Sequence, residues 1–175
     1  MRLGKGRRTS TIAVALATIG AGGALAVTPS AQAQEHRRCV RLHLIEHTTS
    51  WYGNEQVPPG QAPPGFMAIY FGDMYDADSN ALLGHSAGTN DLMYTRASDG
   101  ATIQNVDEQI HLSDGSIAGS GSMSRQDVIA QKWVSEPVKG TSGRYAGLSG
   151  TWTWRLISIT DPQVPVDEKF VLCGR

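Results

Sequence analysis

Apolar and polar residues alternate over residues 39–46 (CVRLHLIE), with Val40, Leu42 and Leu44 on one face and Arg41 and His43 on the other. A period of two marks a half-buried strand. Residues 66–71 (FMAIYF) form an unbroken apolar run between a Pro- and Gly-rich loop at 57–65 and the Gly72-Asp73 pair, and read as a second strand. Further strands are expected within 82–95, at 102–112 after the Ser98-Asp99-Gly100 turn, and at 117–121 after the hairpin dipeptide Asp114-Gly115. Three more are expected at 133–139, 148–159 and 168–173. Residues 124–132 alone suggest a short helical turn. About eight short strands with Gly-rich turns predict an all-β domain, either a sandwich or a closed barrel.

The first 33 residues follow a different pattern. Arg2, Lys5, Arg7 and Arg8 precede a small and apolar run from 11 to 27, and Ala31 and Ala33 then take small-x-small spacing. This is the three-part layout of an export signal, with cleavage expected after Ala33. A retained membrane anchor is the alternative, but the run is short and rich in Gly and Ala for a span. Arg7-Arg8 raises the twin-arginine route, although Thr9-Ser10-Thr11 continues it poorly. The expected domains are therefore a signal peptide at 1–33 and a single domain at 34–175, secreted and with no stable membrane insertion.

Cleavage changes the charge. The 175-residue chain carries 15 basic and 16 acidic side chains; without the signal, 11 basic groups face the same 16 acidic ones. No basic surface of the kind nucleic-acid binding uses is expected. Export also changes the meaning of the two cysteines, Cys39 and Cys173. In an oxidising compartment two lone cysteines are expected to pair, which brings the ends of the domain together. Neighbouring termini favour a closed barrel, and a sandwich with adjacent terminal strands also permits them.

The densest motif lies at 137–150 (PVKGTSGRYAGLSG), with glycines at 140, 143, 147 and 150. It lacks the Gly-Lys-Ser/Thr ending of a phosphate loop and the strand-turn-helix setting of a dinucleotide fingerprint. It resembles the Gly-Gly-Thr/Ser-Gly-x-Phe/Tyr-x-Gly-x-x-Gly signature of the allene oxide cyclase and dirigent barrel superfamily. Gly140, Ser142, Gly143, Tyr145, Gly147 and Gly150 fall on its fixed positions, and Thr141 replaces the second Gly. Residues 72–76 (GDMYD), 83–88 (LGHSAG) and 114–121 (DGSIAGSG) are similar to further family stretches in the same order. The resemblance implies an eight-stranded antiparallel barrel with an internal pocket, commonly a trimer, with no metal and no organic cofactor. Its members cyclise a reactive fatty-acid epoxide or orient phenolic intermediates.

Candidate chemistry follows from strand parity. Glu46 shares a face with Val40, Leu42 and Leu44, so in a regular strand its carboxyl points into an apolar interior, where burial raises its pKa. At the strand's end in water it has no such role. His47 is either a general acid/base or a surface residue. Asn90 stands where the plant cyclases have a Cys and the dirigent proteins a Tyr, and suits hydrogen bonding to a polarised oxygen. Leu92 and Tyr94 share its parity, making Tyr94 a candidate pocket phenol or a core residue. Trp152 and Trp154 share one face of a strand and line a pocket or an interface, while Asp73 and Asp76 read as turn-holding residues.

The expected catalytic set is therefore Glu46, His47, Asn90 and Tyr94, with Leu42, Leu44, Leu92, Trp152 and Trp154 lining the pocket. No histidine pair has helical metal-ligand spacing and no Ser sits in a nucleophile elbow, so no metal site is expected. The function that fits is a cofactor-independent cyclase or isomerase acting on a hydrophobic metabolite, as a homo-oligomer (trimer or dimer). The alternatives are a non-catalytic dirigent barrel that fixes the geometry of such a molecule, and a structural barrel packed shut.

Overall fold

Alternation along each chain segment sends one set of side chains inward and the other outward, and the sheet closes on itself. The computed structural model describes residues 38–57 and 61–174. The segment expected to be an export signal, 1–33, lies outside the described residues. The strands are β1 (Cys39–Gly53), β2 (Met67–Asp76), β3 (Leu82–Thr95), β4 (Thr102–Leu112), β5 (Gly115–Ser124), β6 (Val134–Gly143), β7 (Ser149–Leu156) and β8 (Val166–Cys173). One helical turn, α1 (Arg125–Ile129), links β5 to β6. Neighbours in sequence are neighbours in the sheet, all pairs are antiparallel, and β8 returns to pair with β1. The protein is an eight-stranded closed barrel, which leaves no sheet edge exposed.

Cys39 and Cys173 oppose each other in the β1–β8 register and form the disulfide. It fastens the strands that close the ring. At this end the lumen is packed with side chains: Leu44, Met74, Ile110, Ile117, Phe170 and Leu172 are each at most 1% exposed. Tyr145 from the glycine-rich motif packs into the same cluster, and its hydroxyl donates to Asp114 Oδ1 at 2.8 Å. Gly140 is needed there because a Cβ would collide with the backbone of Tyr145. The family signature therefore builds the closed end of the barrel.

Five strands run further than the sequence pattern indicates: β6 continues past 139 to Gly143, β8 begins at Val166, and β1, β2 and β5 also extend. β1 continues past Glu46 to Gly53, across a bulge between Thr48 and Ser50. β2 does not stop at Gly72-Asp73: Gly72 faces inward, Asp73 faces outward, and the turn comes after Asp76. Asp76 does hold that turn, accepting hydrogen bonds from Ser79 N and Oγ at 2.8 and 2.7 Å. Asp73 does not, and instead pairs with His85 across the strands. β5 starts at Gly115, two residues ahead of the apolar run that announced it.

Candidate active site in the barrel lumen

The end opposite the disulfide is hollow. A cavity of about 670 Å³ occupies this half of the barrel. Its apolar walls include Val106, Trp152, Trp154, Leu156 and Val166, with Trp51 added from β1. Trp51 reaches the lumen because the β1 bulge inserts one residue and reverses the parity that Glu46 and Thr48 follow. The rings of Trp152 and Trp154 lie 5.6 Å apart and nearly parallel. The rim carries Arg125, Val128 and Ile129 from α1 and residues 159–162 and Val164 of the β7–β8 loop.

The floor is acidic. Glu46, Glu108 and Glu168 come from β1, β4 and β8, and are 2%, 2% and 0% exposed. One oxygen from each lies within 4.8 Å of the others. The inner positions around them hold glycine, which makes the room. Gly72 lies against the Glu46 carboxyl, Gly88 against the Tyr70 ring and Gly119 against the Trp152 ring, and a Cβ at any of them would overlap those groups. Large acids and rings opposite glycines are the packing rule of this lumen.

Ser86 donates to Glu46 Oε1, and Tyr70 donates to Glu108 Oε2 at 3.1 Å. Glu108 Oε1, Trp154 Nε1 and Asn90 Oδ1 have no hydrogen-bond partner within the protein, and the Trp152 indole N–H lies near the Glu168 carboxyl without the geometry of a full hydrogen bond. Buried polar atoms are normally paired, so this set faces the space where a ligand would sit. Burial pushes the Glu46 carboxyl up to about 7, against the pull of the Ser86 hydrogen bond. Burial first, and then the neighbouring Glu46, raise Glu108 well above the usual carboxylate range. Glu168 is raised in the same way, by burial and then by Glu108 and Glu46, with the nearby Trp152 indole N–H opposing weakly. Three carboxyls this close in an apolar wall resist ionising together, so burial and mutual repulsion favour their protonated forms.

A hard cation is the other occupant that three glutamates at this spacing can hold. It would need all three to be ionised, and the unpaired Trp154 indole N–H calls for an acceptor. The residues fit proton-bearing acids better than a cation cage. Near the rim, Arg125 Nη1 donates to the buried Gln104 Oε1 at 3.0 Å, and its Nε has no partner. Burial lowers the Arg125 pKa, and the guanidinium supplies the cavity's positive charge.

Glu46 and Asn90 face this cavity, as do Trp152 and Trp154. His47 does not. It sits on the outer face, where Nδ1 lies 3.1 Å from Gln163 Oε1, and so touches the loop that forms the rim. Tyr94 is 53% exposed. A bulge between Leu92 and Tyr94 reverses parity and turns the phenol outward. Leu42 and Leu44 face inward but belong to the packed end, and Leu92 joins Phe66 and Ala68 in a separate small core with Val57 and Ala62 packed against it. Glu108 and Glu168 were missed, yet each carries the signal that found Glu46. Glu108 shares parity with Val106 and Ile110, and Glu168 with Val166 and Phe170. Tyr70, inside an unbroken apolar run, carried no parity signal.

A closed eight-stranded barrel with a polar floor in an apolar lumen is the architecture of the allene oxide cyclase fold. The chain belongs to the allene oxide cyclase barrel like domain family, whose model matches residues 46–172. Among solved structures it is similar to the exo-specific intermolecular Diels-Alderase AbnU, with 29% identity over 79% of this chain and 98% of that one, at a TM-score of 0.69. The Diels Alderase AbmU from Streptomyces koyangensis is 24% identical over 82% of this chain and 72% of its own, with a TM-score of 0.68. The pterocarpan synthase dirigent protein GePTS1 shares the fold at 11% identity, covering 79% and 86% of the two chains, with a TM-score of 0.61. A comparison with functionally curated proteins gives no match.

Proposed function

We propose that this barrel is a cofactor-independent cyclase or isomerase that closes or rearranges a hydrophobic small molecule in its lumen. The observation that carries this is the placement of three buried carboxyls at the floor of an apolar cavity of about 670 Å³. Neutral Glu108 and Glu168 donate hydrogen bonds to a substrate carbonyl oxygen and stabilise the charge that gathers there as bonds reorganise. Trp152 and Trp154 offer their indole N–H groups to the same kind of acceptor. The stacked rings and Val106 confine one folded conformer, which brings reacting carbons together without an entropic penalty at the barrier.

For a ring closure of the [4+2] type, the chemistry AbnU is named for, no net proton moves and these donors suffice. For an isomerisation, Glu46 takes a proton from one carbon while Glu108 gives one to oxygen; Glu46 then delivers its proton to a different carbon as Glu108 takes its own back from oxygen, which leaves both acids as they began. Export by the 1–33 segment and assembly into a dimer or trimer belong to the same reading. Signal cleavage is checked by N-terminal sequencing of the secreted protein, and assembly by solution scattering.

The test is incubation of the purified protein with apolar extracts of the producing organism, following product profile and handedness. Glu46→Gln, Glu108→Gln and Glu168→Gln keep shape and remove the acid. The proposal expects at least a tenfold loss of product formation in Glu108→Gln and Glu168→Gln. Equal turnover and handedness in all three variants would leave the dirigent alternative, in which cavity shape alone directs the product.

A further inference from the structure

The outer face carries an unassigned row of polar side chains. Asp73 on β2 is opposite His85 on β3, His85 is opposite His111 on β4, and His111 is opposite Ser116 on β5. His85 Nδ1 lies 2.8 Å from Asp73 Oδ1, and His111 Nδ1 lies 3.0 Å from Ser116 Oγ. The two imidazoles therefore use their Nδ1 atoms on partners in opposite directions, away from the gap between β3 and β4. With Nδ1 engaged on β2 in one case and on β5 in the other, Nε2 is the uncommitted nitrogen of each ring, and both residues are exposed. Directly opposed residues in an antiparallel pair have Cβ atoms about 4.5–5.5 Å apart, within reach of one shared ion at about 2.0–2.1 Å from each nitrogen.

We propose that His85 and His111 form a two-histidine site for a borderline divalent transition ion of the zinc class. The Nε2 atoms are the ligands and water completes the shell. Asp73 and Ser116 accept the Nδ1–H of each ring, which fixes the tautomer whose free lone pair is on Nε2, the arrangement that metal-ligating histidines use. The sequence hid this site because its ligands are 26 positions apart and meet only through the β3–β4 register. His47 is opposite Asp73 in the same row, but its Nδ1 is turned to Gln163 and it is three strands from His111. The site is independent of the lumen chemistry.

Calorimetric titration of the full chain with zinc chloride tests it, read alongside the shift in Tm with added zinc. One saturable site is expected in the wild type, with an upward Tm shift. His85→Gln and His111→Gln are expected each to abolish both signals, and Asp73→Asn to weaken binding by about tenfold. Circular dichroism confirms that these exposed variants fold. Glu108→Gln and His43→Gln are expected to bind zinc as the wild type does. Absence of saturable uptake in the wild type overturns the proposal. So does uptake that survives both histidine variants, or that disappears with Glu108→Gln.

Discussion

Gly88 lies directly against the Tyr70 ring, and that contact leaves the Tyr70 hydroxyl 3.1 Å from Glu108 Oε2. The three residues are aligned across β2, β3 and β4 by register: Tyr70 opposes Gly88, and Gly88 opposes Glu108. A methyl group at position 88 has no space. Gly88→Ala is expected to push Tyr70 away from Glu108 and to cost about 1–3 kcal/mol in stability, the usual range for overpacking a filled interior. Chemical denaturation measures it. Tyr70→Phe is the companion variant, because it keeps the ring and removes only the hydrogen bond. It is expected to weaken ligand binding more than it lowers stability.

Stability is expected to fall as pH rises. An ordinary Glu titrates near 4.5, and folding pushes Glu46 up to about 7 and raises Glu108 and Glu168 well above the usual range. Above pH 4.5 the native state therefore holds more protons than the unfolded chain, and the slope of stability against pH is negative. The favourable contribution is complete below about pH 4.5. For Glu46 it is lost as pH passes through about 7, and for Glu108 and Glu168 as pH rises through their own raised values. Asp99, held down to about 2 by Arg96, works in the opposite sense only in strong acid. Denaturation midpoints across pH 5–9 check the sign, and Glu108→Gln should flatten the curve.

His47 is expected to act on the rim rather than on the substrate. It meets Gln163 through Nδ1, and the next residue, Thr48, donates its backbone N–H to Gln163 O at 2.7 Å. These bonds hold the β7–β8 loop over the cavity mouth. His47→Ala should speed amide exchange across residues 157–165 and leave the pH dependence of the reaction unchanged. A shifted pH profile with unchanged exchange would make His47 an acid/base instead.

The Cys39–Cys173 disulfide spans 134 positions and closes the ring between β1 and β8. Replacing both cysteines with Ser is expected to cost about 2–5 kcal/mol, because the unfolded chain regains its loop freedom. The cavity lies at the opposite end of the barrel, so ligand binding at temperatures well below the melting point should persist.

Much of this architecture was legible because a barrel strand writes its two faces into alternate residues. The β4 boundaries and the terminal cysteine pair follow from alternation, turn dipeptides and the expected export context. Parity also pointed Glu46 inward. It failed where the backbone breaks the count. The bulge at Thr48 and Ser50 brings Trp51 into the lumen, and the bulge after Leu92 turns Tyr94 out. Neither bulge has a glycine or proline to announce it. The triad itself was unreadable as a triad, since its members meet only when the sheet closes and brings β4 across from β1 and β8.

The most direct measurement is infrared spectroscopy of protonated carboxyl groups in the folded protein at pH 6–9. Glu46, Glu108 and Glu168 are expected to give a protonated-acid band at pH 6, where ordinary carboxyls are fully ionised. Part of it should titrate near pH 7, and each Glu→Gln variant should remove its share. Absence of that band at pH 6 would mean that the floor is ionised, and the account of a neutral acid site would be wrong.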